Sequence, residues 1–86
     1  MPPRVTFLIS SNKKIRDLRN GIGKRTGTDF SASAYDYCFV SELLRRRVSK
    51  AEAAAALAHR PGAHRTDAAY CWQTVERAAE RLGERR

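Results

Sequence analysis

Residues 33–82, SAYDYCFVSELLRRRVSKAEAAAALAHRPGAHRTDAAYCWQTVERAAERL, hold two helix-start signatures and two aromatic landmarks. A hydroxyl followed three residues later by a carboxylate can satisfy the open N–H groups of a first helical turn. Ser33 with Asp36 has that spacing, and so does Ser49 with Glu52, where Val48 adds an apolar residue just before the cap. After Ser33, Tyr37, Val40 and Leu44 recur at helical intervals with Phe39 and Leu43 beside them. The run ends in Arg45-Arg46-Arg47, cations suited to the negative carboxyl end of a helix dipole. Ala51 to Ala58 predicts a slim helix of high propensity, stopped by Pro61-Gly62. Thr66 or Asp67 can cap a third helix, whose Cys71, Val75, Ala78 and Leu82 form one apolar stripe before Gly83. The fold class expected is all-α: a small bundle of three or more helices over residues 31–86.

Outward from that stretch the pattern loosens. Residues 1–30 are expected to form an irregular basic arm or linker. Val5-Thr-Phe-Leu-Ile9 is β-prone and would suit a short strand, although nothing in the chain offers to pair with it. Ile15 to Arg19 can form a helical turn or two, and Asn20 to Gly27 reads as a flexible, basic loop with three glycines. No internal repeat is apparent.

The chain has 86 residues, enough for one domain with a modest core, and a net charge of +8. Residues 1–30 hold seven Lys or Arg against two Asp, residues 31–65 six against three, and residues 66–86 four against four. The basic footprint is therefore amino-terminal and central, which favours a polyanionic partner. Met-Pro-Pro-Arg has no long apolar stretch behind it, and Val5 to Ile9 is too short to span a bilayer. With Cys38 and Cys71 both inside helical patterns, a reducing, cytoplasmic setting and no membrane association are expected.

Ser33-x-x-Asp36-Tyr37, the Arg-rich helix end, Ser49-x-x-Glu52 before an alanine-rich run, and Tyr70-x-x-x-Thr74-Val75 together resemble the carboxyl-terminal helix-bundle domain of RepB-like plasmid and phage DNA primases. The resemblance covers roughly residues 29 to 82. It departs at Gln73, where similar proteins tend to have Arg. It implies an accessory role beside a catalytic domain of the archaeo-eukaryotic primase type, engaging template and not polymerising.

The residues themselves weigh against independent catalysis. Primer synthesis needs paired carboxylates that hold divalent metal ions, and no Asp-x-Asp or comparable cluster is present, so the chain is expected not to be an enzyme. Gly23-Lys24 lacks both the upstream glycine and the following Ser or Thr of a phosphate loop. Cys38, His59, His64 and Cys71 are the right residue types for zinc but have the wrong spacing, so neither metal nor cofactor is expected.

Candidate nucleic-acid contacts are Lys13, Lys14, Lys24 and Arg25 in the arm, and Arg45, Arg46, Arg47, Lys50, Arg60 and Arg65 around the ends of the second helix. Three consecutive arginines fan around a helix and cannot all serve one face. Trp72 lies partly off the Cys71–Val75 stripe, where it can either pack at the core's rim or stack on an unpaired base. The leading expectation is an accessory bundle of a primase or replication protein that holds single-stranded DNA. A helix-turn-helix regulator of duplex DNA is the alternative, because Ser49 to Leu57 also resembles the first helix of that motif. Against it stand the long connection from His59 to Arg65 and the charge-balanced third helix. A protein-interaction bundle docking through Val5 to Ile9 is a third reading.

Overall fold

The computed structural model describes residues 2–22 and 31–84. Among these residues the chain is all-α, with five helices and no strand: α1 (Pro3–Ser11), α2 (Lys13–Arg19), α3 (Ala32–Arg45), α4 (Lys50–Ala58) and α5 (Ala68–Glu84). α3, α4 and α5 pack on one another, while α2 lies against α3 and α1 bridges α2 and α4.

The strand expected at Val5–Ile9 is instead the middle of α1. Pro3 occupies the first turn, where its fixed φ suits a helix and its missing N–H costs nothing. Ser10 and Ser11 hydroxyls donate back to carbonyls four residues earlier, at 3.0 and 2.8 Å. Val5 is fully buried, so packing overrides the weak β preference of the run. Asn12 then ends α1 and caps α2, its Oδ1 accepting the Ile15 N–H at 3.1 Å. Ile15 and Leu18 enter the same core as Phe39, Leu43, Leu57 and Val75. Residues 3–19 are thus two helices built into the bundle, not an irregular arm.

The cap of α3 lies two residues before the expected one. Ser31, not Ser33, accepts the third-residue N–H, from Ala34 at 3.3 Å. Its buried face carries Tyr35, Phe39, Val40 and Leu43, whereas Tyr37 and Leu44 are only partly covered. The helix closes with the Val48 N–H donating to the Leu43 carbonyl (3.2 Å) and the Arg47 N–H to the Leu44 carbonyl (3.0 Å). That is the Schellman pattern, with Arg47 at the left-handed position (φ 65°) usually taken by glycine. The capping box of α4 forms as expected: Ser49 Oγ accepts the Glu52 N–H at 3.1 Å, and Glu52 Oε1 accepts the Ser49 N–H at 3.3 Å. Ala53 and Ala56 are fully buried, and their small side chains let α5 approach closely. Asp67, not Thr66, caps α5 by accepting the Tyr70 N–H at 3.1 Å. Of the expected α5 stripe, Cys71, Val75 and Ala78 are buried as the spacing predicts, while Leu82 is only partly covered.

Candidate nucleic-acid interface

Where the end of α3 meets the start of α2, three cations converge on one carboxylate. Glu42 accepts Arg46 at 2.7 Å and lies 3.1 Å from Lys14 Nζ and 3.3 Å from Arg45 Nη1. The Arg pairs follow from helical spacing, since residues three and four apart share a face. Lys14 arrives only through the packing of α2 on α3. Burial would raise the Glu42 carboxyl, but hydrogen bonds from Arg46 and Lys14, together with the charges of Lys14 and Arg45, outweigh it and hold the group below its ordinary range. The cations stay reachable: the side chains of Lys14, Arg45 and Arg46 are 63, 47 and 33% exposed, against 9% for Glu42. Three positive charges around one negative leave a local excess suited to a phosphodiester.

The remaining candidates are distributed differently. Lys13, on the same helix as Lys14, pairs with Asp17 at 2.7 Å. Arg47 leaves the helix at its left-handed position and is exposed. Lys50 faces Glu76 of α5 at 3.5 Å, and Arg65 binds the Asp67 cap at 2.8 Å. Lys24 and Arg25 lie outside the described residues.

Arg60 is a correction. Its side chain is only 2% exposed and faces Asp36 across 3.4 Å, so it is spent inside the protein and cannot meet a strand. The reason is Asp36, fully buried instead of closing a cap at the start of α3. Asp36 Oδ2 accepts the Tyr70 hydroxyl at 2.7 Å and the His64 N–H at 3.0 Å. Arg60 donates to the Pro61 carbonyl at 3.0 Å and lies over the Tyr35 ring, 5.9 Å from its centroid. Asp36 Oδ1 and Arg60 Nε make no hydrogen bond, so the pair is held by charge more than by directed contacts. This cluster ties α3, the 59–67 connection and α5 together. Burial, then the Asp36 hydrogen bond and charge, push the Tyr70 hydroxyl up to about 12.

The two aromatic landmarks therefore meet in space. Ser33, Tyr37, Tyr70, Gln73, Thr74 and Arg77 line a cavity of about 300 Å³ between α3 and α5. Trp72 sits outside the core at 44% exposure. Sequence reasoning missed Glu42 as the hub of the basic group and passed over Gln73 and Arg77 as cavity-lining residues. The i, i+3 and i, i+4 relation of Glu42 to Arg45 and Arg46 was the available signal. Among the described residues no three His, Cys, Asp or Glu side chains gather as a metal site, and no helix is long and apolar enough to cross a membrane. No protein-family model, curated protein or solved structure matches the chain.

Proposed function

We propose that this chain is a nucleic-acid-binding helical bundle that holds a single strand by its phosphates, serving as an accessory module to a replication protein such as a primase. The observation that carries the reading is the convergence of Lys14, Arg45 and Arg46 at one exposed junction, in a chain of net charge +8. An exposed indole at Trp72 and the aromatic cavity between α3 and α5 are surfaces on which unpaired bases can stack. The accessory role beside a primase catalytic domain rests on the resemblance alone.

The mutual packing of α3, α4 and α5 favours a second reading, a duplex-binding helix-turn-helix unit. The nine-residue connection between α4 and α5 counts against it. So does α5 itself, which opens with Ala68-Ala69 and carries three Glu against two Arg.

Fluorescence anisotropy with a labelled oligothymidylate and a matched duplex separates these readings. Binding is expected to be tighter to the single strand. Lys14→Gln with Arg45→Gln should reduce the slope of log affinity against log salt by about 1.4, roughly 25-fold at about 0.1 M salt. A duplex preference would move the assignment to the second reading. Unchanged affinity in the folded double variant would remove this junction from the interface.

A further inference from the structure

The basic junction contains its own anion. Glu42 is almost fully buried, and its contacts are cations: Arg45 and Arg46 from its own helix and Lys14 from α2. An incoming phosphodiester would ask for the same donors. The three are not held alike. Arg46 makes two contacts, to the Glu42 carboxylate at 2.7 Å and the Glu42 carbonyl at 3.3 Å, and is the least exposed. Lys14 and Arg45 are held more loosely, at 3.1 and 3.3 Å, and carry the more exposed side chains.

We infer that Glu42 is a built-in competitor of phosphate: it keeps Lys14 and Arg45 gathered in the free protein, yields them to a phosphodiester on binding, and thereby sets the affinity and salt range of the interface. This rests on the nucleic-acid reading above and deepens it by naming the residue that limits it. Arg46 remains on Glu42 throughout and is the structural member of the group. Lys14 and Arg45 are the exchangeable members, because their side chains are the more exposed and, among the described residues, each holds the Glu42 carboxylate through one contact. A carboxylate at this point lowers affinity for every polyanion alike. It acts on the strength of binding and not on base choice.

The test is Glu42→Gln, which keeps side-chain length and an acceptor oxygen while removing the charge. Anisotropy with a labelled oligothymidylate is compared with wild type over a salt series, and circular dichroism verifies the fold. One added effective cation predicts a slope steeper by about 0.7 and affinity roughly fivefold tighter at about 0.1 M salt. Equal or weaker binding by the folded variant, with wild type still binding, overturns this inference and leaves the nucleic-acid reading intact. If neither protein binds, both fall. Should Glu42→Gln fail to fold, Glu42→Asp takes its place. The shorter side chain loosens Lys14 and Arg45 and should bind more tightly by a smaller factor; equal or weaker binding is again the overturning result.

Discussion

Asp36→Asn isolates one buried charge with almost no change in shape. Asp36 is fully buried, its Arg60 partner is 2% exposed at the side chain, and the two stand 3.4 Å apart. Asparagine still offers an oxygen to the Tyr70 hydroxyl and the His64 N–H, so the hydrogen-bond framework at Oδ2 can survive. What changes is that the Arg60 guanidinium is left in the interior without a counter-charge. Breaking a buried pair from one side costs about 3–5 kcal/mol. The lower end applies here, because Asp36 Oδ1 and Arg60 Nε make no hydrogen bond even in the intact pair. A domain of this size has a total stability on the order of 4–13 kcal/mol, so a loss of about 3 kcal/mol is a large share of it. The melting temperature should fall by roughly 12–24 °C, read by far-ultraviolet circular dichroism, with urea titration giving the free energy directly. The companion Arg60→Met removes the cation, and the double variant should be less damaged than the two single losses added together. A cost of under about 1 kcal/mol for Asp36→Asn would refute the reasoning, because it would mean the cluster is wet or loosely formed.

Two further outcomes follow from local geometry. Arg47 holds a left-handed φ that disfavours side chains, so Arg47→Gly should stabilise the fold by about 0.5 kcal/mol, seen as a rise of a few degrees in melting temperature; a fall would contradict the capping assignment. Tyr70 ionises near 10 in an unfolded chain and near 12 in the fold, so the folded state holds its proton more tightly. Its contribution is present below pH 10 and is lost as pH rises through about 12, and Tyr70→Phe should flatten that part of an alkaline unfolding curve.

The parts of this fold that were legible in the sequence are those decided within a few residues. The Ser49–Glu52 box forms as read, the α5 cap falls on Asp67, one of the two residues offered, and three of the four stripe residues, Cys71, Val75 and Ala78, are buried; each of these depends on spacing along one helix. Val5 to Ile9 was misleading because β preference is a weak bias, and burial of Val5 among α2 and α4 settles the matter through distant contacts. Asp36 has cap-like spacing after Ser33, but its partners are the His64 backbone and the Tyr70 hydroxyl, both beyond any local window. Arg60 looked like one more surface cation for the same reason. Of the cations grouped around the second helix, Arg45 and Arg46 share Glu42, while Lys50, Arg60 and Arg65 pair elsewhere; the shared carboxylate and the arrival of Lys14 required the packing of α2 on α3.

The cluster around Asp36 also redistributes suppleness in the molecule. A nine-residue connector without regular structure would ordinarily be the first segment to breathe. Here, peeling it away would carry off Arg60 and the His64 N–H and leave the buried Asp36 carboxylate with the Tyr70 hydroxyl alone, so the connector is pinned to the bundle. Small excursions are left to the α2–α3 junction, where the Lys14 and Arg45 side chains face water over a buried Glu42. The rigid face and the yielding face of the bundle are therefore set by where its cations are sealed in and where they are left wet.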